Sequence, residues 1–440
     1  MKYEGQQIVV LGGGTSGLAA SRLARALGAS VVLVDSGESD VLRERTASLV
    51  VEGIEVKLGA DAFVSDPNRF SFAVVSPGID PLWDLTRHFS DADVELWSEI
   101  EFGYQNTSTP VVAITGTNGK STTTELAAVI LNAAGQKTVP AGNYGLAFCD
   151  ILLGGEAYDV HMLEVSSFQL ELIKNFRPTT SVWMNFAPDH LDRHVKLEAY
   201  RAAKLRVFEN QTEEDTAVLN AADPVEGIQA RTVTFSAFGA EADYTLEGHT
   251  ICFKGEPVAD FTRTNLRGAH NAENLMAAMA VARSRGIEFS EMEEAIRAYR
   301  PPRHRCELVA IVGDVEYIND SKSTNLHSLE SSLRSLRHPL ILIAGGKDKG
   351  LDFGGVRESV REACSHVVAI GEIAQHLVDS WGDVVRCEIA TDMADAIERA
   401  QARASQKQIV LLSPGTSSFD MFSGYQERGE SFCNNVKRLL

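Results

Sequence analysis

The chain has 440 residues, 44% hydrophobic and 23% charged, with a formal net charge of −19 at pH 7. At roughly 150 residues per domain this predicts about three domains of a soluble globular protein. The acidic balance excludes a sequence-independent grip on nucleic acid or an anionic membrane, which need a basic field, but leaves room for an anionic small substrate in a locally basic pocket.

Six cysteines, at 149, 252, 306, 364, 387 and 433, include no C-x-x-C pair. A disulfide framework or zinc site is therefore not expected, and reduced thiols in a cytoplasm are. "MKYEGQQIVVLG" shows no export signal, and no apolar stretch approaches the roughly 20 residues that span a bilayer. A cytoplasmic monomer without a membrane segment is the expectation.

In the first block, residues 1–105, "QIVVLG" and "SVVLVD" read as strands separated by the amphipathic helix "SGLAASRLARALG", and "FAVVSPGID" as a strand entering a Ser-Pro-Gly turn. "YQNTSTP" at 104–110 reads as a linker. The second block, 106–301, opens with the strand "PVVAIT", a glycine loop and the helix "TTTELAAVILNAAG". The strands "YDVHMLEV" and "SVWMNF" follow, and the helices "NAENLMAAMAVARSRG" and "EMEEAIRAY" close the block. Two prolines in "YRPPRHR" at 299–305 break the helix at a hinge. The third block, 302–440, has the buried strands "PLILIAGG", "HVVAIG" and "QIVLLSPG". Strands alternating with helices predict an α/β protein of parallel sheets.

Gly12, Gly14 and Gly17 form G-x-G-x-x-G between strand and helix, and Asp35 ends the next strand. These glycines suit a tight turn, a close approach to phosphate and close helix packing. The pattern is open to three readings: an NAD-dependent oxidoreductase, a turn that only packs a helix, or another phosphorylated ligand. The block supplies at most half of a full dinucleotide fold, and no hydride-transfer constellation follows.

The second loop, "GTNGKST", spans Gly116, Thr117, Asn118, Gly119, Lys120, Ser121 and Thr122. Its backbone N–H groups can cradle a phosphate while the lysine reaches the β/γ oxygens and the serine hydroxyl ligates Mg²⁺. Ile114 stands where the commonest P-loop has its first glycine. Glu164 ends the strand "HMLE", where a carboxylate can face Mg²⁺ or simply make a turn. His190 in "APDHLDRH" follows another strand and is either structural or a ligand. The periodicity of "YRAAKLRVFE" puts Lys204 on a solvated basic helix face. In the third block "YINDSKSTN", "GGKDKGLDF" and "SPGTSSFDMF" set polar clusters at strand ends, where α/β sheets bind ligands.

"TGTNGKST", "EVSSFQLE", "NFAPDHLDRH", "YRAAKLR", "HNAENLMAA", "PPRHRCE", "NDSKSTN" and "LLSPGTSSFDMF" occur in that order. Together they resemble the Mur ligases, ATP-dependent amino-acid-adding enzymes of peptidoglycan precursor synthesis, over the whole chain. The resemblance implies a Rossmann-like N-terminal domain, a P-loop ATPase-like central domain and a Rossmann-like C-terminal domain. It implies UDP-N-acetylmuramoyl-L-alanine and D-glutamate as substrates, with ATP and two Mg²⁺.

Position by position, the resemblance assigns Thr15, Ser16, Asp35, Ser36, Gly78 and Asn143 to the UDP-sugar. Lys120 and Ser121 would hold ATP and its metal, with Asn274, Arg305, Asp320 and Lys322 closing over the nucleotide. Glu164 and His190 match second-metal positions, and Lys204 matches a lysine that the family carbamylates. Thr324, Lys349, Ser418 and Phe419 would bind the amino acid, with Tyr425 at a further aromatic position. Gly37 departs from the family's arginine, which bears on uracil or phosphate recognition. Another Mur ligase, a folylpolyglutamate-type synthase and a P-loop binding switch are the rival readings, beside the oxidoreductase.

Overall fold

The computed structural model describes residues 1–189, 191–194, 196–337 and 339–440, with side chains omitted at 191 and 192. It divides into two compact units, one comprising Met1–Phe235 with Ala277–Ala295, the other Ser236–Met276 with Ile296–Leu440.

In the first unit β1 (Gln7–Leu11), β2 (Ser30–Asp35), β3 (Glu55–Leu58), β4 (Phe72–Val75) and β5 (Leu96–Ser98) form a parallel sheet in the order β3-β2-β1-β4-β5. Its central strands are apolar throughout because both faces are covered. Ile8, Val10, Leu33 and Val74 pack with Ala20, Leu23 and Ala24 of the helix Thr15–Ala26 on one face. Val9, Leu11, Val34 and Val75 pack with Leu85 and Phe89 on the other.

A second parallel set, β6 (Val111–Thr115), β7 (Pro140–Gly142), β8 (His161–Glu164), β9 (Thr180–Trp183), β10 (Thr216–Asn220) and β11 (Arg231–Ser236), runs in the order β11-β10-β9-β6-β8-β7. The chain builds to one side of β6 with β7 and β8, then crosses to the other with β9. The strand order therefore reverses at β6, and the carboxyl ends of β6, β8 and β9 frame the crevice where such sheets bind ligands.

In the second unit β12 (Tyr244–Glu247), β13 (Thr250–Phe253) and β14 (Glu256–Asp260) pair antiparallel. Lys254 and Gly255, both at positive φ, supply the two-residue turn that matches strand twist. A further sheet contains β15 (Glu307–Val312), β16 (Val315–Asn319), β17 (Leu340–Gly345), β18 (Cys364–Ile370), β19 (Arg386–Ile389) and β20 (Ile409–Leu412), in the order β15-β16-β20-β17-β18-β19. Only β15 runs antiparallel to its neighbour. The parallel α/β expectation holds, with antiparallel β12–β14 and β15 added to it.

Among the described residues no helix is long and apolar enough to cross a membrane. All six cysteines are free thiols.

Candidate active site

The loop after β6 is shaped by contacts that exclude side chains. A Cβ on Gly116, whose φ is +140°, would lie 2.8 Å from Met184 Cβ. Gly119 caps the helix Lys120–Ala133 in the left-handed conformation, φ +84°. Asn185 braces the turn: its carbonyl accepts from Thr117 N at 2.9 Å, its Oδ1 from Asn118 N at 2.9 Å, and its Nδ2 donates to Asn118 O at 3.1 Å. Lys120 Nζ donates back to Gly116 O at 3.0 Å and Thr117 O at 2.8 Å, curled over the cradle. Ser121 and Thr122 lie in the first helical turn, whose N–H groups have no intrahelical acceptor and whose dipole favours an anion.

Lys204 is a correction. The helix Leu197–Leu205 does not show it to solvent: it is 2% exposed, on the buried face with Tyr200 and Ala203. Four residues after Tyr200 it shares that face, and Nζ lies 4.9 Å from the tyrosine ring centroid. Nζ donates to Gly116 O at 2.7 Å. Desolvation, and then the charge of Lys120, hold its ammonium well below the ordinary lysine range, against the opposing pull of Asp189 and Glu164. A neutral amine is thus accessible beneath the phosphate loop.

Glu164, at the end of β8, is buried. One carboxylate oxygen accepts from Asn143 Nδ2 at 2.8 Å, while Oε2 is buried without a hydrogen-bond partner. An orphaned carboxylate oxygen is costly, and a hard cation with oxygen ligands would satisfy it. Among the described residues no three His, Cys, Asp or Glu side chains cluster as a metal site. A divalent ion here would draw instead on Glu164, the Ser121 hydroxyl and an anionic form of Lys204. His190 lies outside the described residues.

The loop after β1 is built differently. Gly12 has φ +99°, and a Cβ on Gly17 would fall 1.9 Å from Gly12 O, so helix and turn touch backbone to backbone. Asp35 accepts from Gly13 N at 2.8 Å through one oxygen and from Gly37 N at 2.8 Å through the other, with Ser36 between. Thr15 and Ser16 open the helix, whose cap position, Gly14, supplies no side-chain cap. Gly78 stands in the turn after β4, where a Cβ would meet nothing within 4 Å.

Arg193, missed at the level of sequence, holds that turn. It donates to Pro77 O at 2.7 Å, Ile79 O at 3.2 Å and Glu171 Oε2 at 2.6 Å, and lies 4.2 Å over the Phe168 ring. It stood in view in "HLDRH", but nothing local marks an arginine for burial. Asn143, expected at the UDP-sugar, is bonded to Glu164 through backbone as well as side chain.

In the second unit Asn274 is buried and donates to Asn271 Oδ1 at 2.9 Å. Asp320 is also internal, accepting from Ser332 Oγ at 2.7 Å, Ser413 Oγ at 3.1 Å and Cys306 N at 3.2 Å. Burial raises its carboxyl to about 6, against those bonds and the charge of half-buried Arg305. Lys322 Nζ lies 4.2 Å over the Tyr425 ring. Thr324 is half-buried, Lys349 exposed, Ser418 buried and Phe419 66% exposed. A cavity of about 660 Å³ is lined by Lys347, Glu372, Thr391, Phe419 and Asp420. Buried Arg428 ties the three strand-end clusters of the third block together through Ser321, Gly345 and Thr416.

Residues 114–282 match the family model for the Mur ligase middle domain, and residues 304–415 that for the Mur ligase glutamate ligase domain. The chain is 38% identical over 458 residues to the UDP-N-acetylmuramoylalanine--D-glutamate ligase of Pelotomaculum thermopropionicum, spanning 99% of this chain and 98% of that one. It is 36% identical to the protein of the same name from Desulfitobacterium hafniense, over 100% of this chain and 99% of the other. Among solved structures, a pseudomurein peptide ligase type C from Methanothermus fervidus matches with a TM-score of 0.62 at 18% identity, over 99% of this chain and 100% of that one, a likeness of fold.

Proposed function

The chain belongs to the Mur ligase family, and we infer from this that it is the ATP-dependent ligase joining D-glutamate to UDP-N-acetylmuramoyl-L-alanine in peptidoglycan precursor synthesis. The observation that carries the reading is the pair of lysines on one loop carbonyl, Lys120 at 3.0 Å and Lys204 at 2.7 Å from Gly116 O. Amide formation from a free carboxylate is uphill, so the carboxylate must first be activated. The L-alanyl carboxylate attacks the γ-phosphorus of ATP, ADP leaves, and an acyl phosphate results. The amine of D-glutamate then adds to the acyl carbon, loses a proton, and expels inorganic phosphate.

Bringing a carboxylate against a polyphosphate is opposed chiefly by charge, so the protein contributes position and cations. Lys120 exchanges its two loop carbonyls for phosphate oxygens, with Gly116, Thr117, Asn118, Gly119, Ser121 and Thr122 forming the cradle. Bound Mg²⁺, two ions in this reading, supplies charge neutralisation at the phosphates. Glu164, Ser121, His190 and Lys204 would hold it, Lys204 after its neutral amine has added CO₂ and shed a proton to become a carbamate.

We assign residues 1–105 to the UDP-sugar through Thr15, Ser16, Asp35, Ser36 and Gly78, aided by Asn143. Residues 106–301 are assigned to ATP, and residues 302–440 to D-glutamate through Thr324, Lys349, Ser418, Phe419 and Tyr425. Asn274, Arg305, Asp320 and Lys322 would serve the nucleotide. The proposed setting is a cytoplasmic monomer acting on small molecules.

The test is phosphate release with ATP, UDP-N-acetylmuramoyl-L-alanine and a panel of amino acids. D-glutamate is expected to give the highest kcat/KM. Preference for another amino acid would overturn the assignment, and amino-acid-independent hydrolysis would indicate a nucleotide switch.

A further inference from the structure

Arg428 lies in the first turn of the helix Tyr425–Lys437 and is 2% exposed. Its guanidinium makes five hydrogen bonds. Nε donates to Ser321 Oγ at 3.1 Å, Nη2 to Ser321 O at 2.9 Å and Thr416 O at 3.1 Å, and Nη1 to Thr416 O at 3.1 Å and Gly345 O at 3.5 Å. Every acceptor is a neutral oxygen. Among the described residues no carboxylate forms a hydrogen bond or ion pair with this side chain.

The acceptors lie just before side chains assigned to the amino acid. Ser321 precedes Thr324 by three residues, Gly345 precedes Lys349 by four, and Thr416 precedes Ser418 and Phe419. The loops are also laced to one another: Thr416 Oγ1 donates to Lys347 O at 2.7 Å, and Lys347 N to Ser417 O at 2.9 Å. A Cβ on Gly346, at φ +144°, would come within 3.1 Å of Arg428 Nη1, so backbone must lie directly on the guanidinium. The planar fork of arginine spreads five N–H donors from three nitrogens and so reaches three loops at once, a geometry that the compact ammonium of a lysine does not reproduce.

A buried cation is ordinarily matched by an anion, because leaving it alone is costly. Burial lowers the Arg428 pKa to about 10 while the fields of Asp420 and Asp320 hold it up, so the group is still charged at neutral pH. Its charge enters no ion pair, so beyond the fields of Asp420 and Asp320 it is available to an anion at the loop tips. A dicarboxylate amino acid complements it; a neutral isostere does not.

We propose that Arg428 is the positioning and specificity-determining residue of the amino-acid site, fixing three loops by its hydrogen bonds and favouring an anionic side chain by a charge that no ion pair takes up. This rests on the ligase reading above. The experiment compares wild type, R428Q and R428K, measuring KM for ATP, the UDP-sugar and D-glutamate, and the kcat/KM ratio of D-glutamate over D-glutamine.

Wild type without D-glutamate-dependent phosphate release overturns both readings. With wild type active, R428Q is expected to raise the D-glutamate KM at least tenfold, leave the UDP-sugar KM within about twofold, raise the ATP KM by less than the D-glutamate KM because Ser321 adjoins Asp320 and Lys322, and reduce the D-glutamate to D-glutamine ratio. R428K should raise the D-glutamate KM but keep the ratio. Equal increases for all three substrates, or an unchanged ratio in R428Q, overturns the proposal. If R428Q does not fold, R428K decides: a selective rise in the D-glutamate KM with the ratio kept supports it, and any other pattern overturns it.

Discussion

The glycine loops at 12–17 and 116–121 follow parallel strands and open helices, yet their surroundings differ in charge. The first is tied by a carboxylate: Asp35 gathers Gly13 N and Gly37 N, and residues 9–20 contain no lysine or arginine. The second carries a cation, Lys120, which meets the buried amine of Lys204 at Gly116 O. The same strand–turn–helix geometry therefore supports two tasks. A turn fixed by an internal anion suits a ligand that is held, whereas low dielectric and close cations suit a phosphoryl group whose charge redistributes during reaction.

Breaking the second loop should have the largest effect. Lys120→Ala is expected to lower ATP-dependent kcat/KM by roughly 10³ or more, with UDP-sugar binding by calorimetry unchanged. Near-normal turnover would mean that the second loop is not the reactive one.

Lys204→Ala should lose roughly 10²–10³ and recover partly with short-chain carboxylic acids; full activity without them would sink the carbamate reading. The same residue makes a stability prediction. Its folded pKa lies below its unfolded one, so the native state binds fewer protons and stability rises with pH between the two values. Lys204→Met should thus be inactive yet more heat-stable at pH 7, with the advantage shrinking as pH nears 10. A lower Tm at pH 7 would contradict this.

Both loops were legible in the sequence because a glycine at a strand end carries its constraint locally. The buried parallel strands were legible as β-branched runs. Lys204 was not, since periodicity scores lysine as polar and burial under a loop 88 residues away is a tertiary property. Arg193 and Arg428 escaped for the same reason: both are solvent-type residues whose acceptors are carbonyls distant in sequence. The β12–β14 meander was overlooked because four- and five-residue strands joined by two-residue turns give little alternation to count. Asn143 was assigned to substrate by resemblance, whereas its strongest visible contact is Glu164.

The first loop is sensitive to shape rather than charge, and two alanine substitutions separate these. A Cβ on Gly17 would sit 1.9 Å from Gly12 O and 2.7 Å from Ser76 Oγ, whereas one on Gly14 would meet nothing within 4 Å. Gly17→Ala should cost about 3 kcal/mol as backbone and helix are forced apart, and Gly14→Ala a few tenths at most. Urea denaturation of the full chain measures both. Equal stabilities would show that the helix is free to shift, and that the tight approach at Gly17 is not required by the fold.

The smallest effect sharpens the contrast most directly, by giving the first loop the cation it lacks. Gly37 N donates to Asp35 Oδ1, and a Cβ there would lie 3.2 Å from that oxygen and 3.4 Å from Leu42 Cδ2, close but tolerable. Gly37→Arg would place a guanidinium at the mouth of the turn, exposed enough that a new ion pair is worth about 1 kcal/mol or less. The expected result is a three- to fivefold lower KM for the UDP-sugar that fades above roughly 0.5 M salt as screening shortens its reach, with the KM for ATP unchanged. A lower KM for ATP instead would mean that the first loop senses the transferred phosphate. An unchanged UDP-sugar KM at low salt would mean that its phosphates lie away from residue 37, leaving the helix N-terminus at Thr15 and Ser16 to hold them.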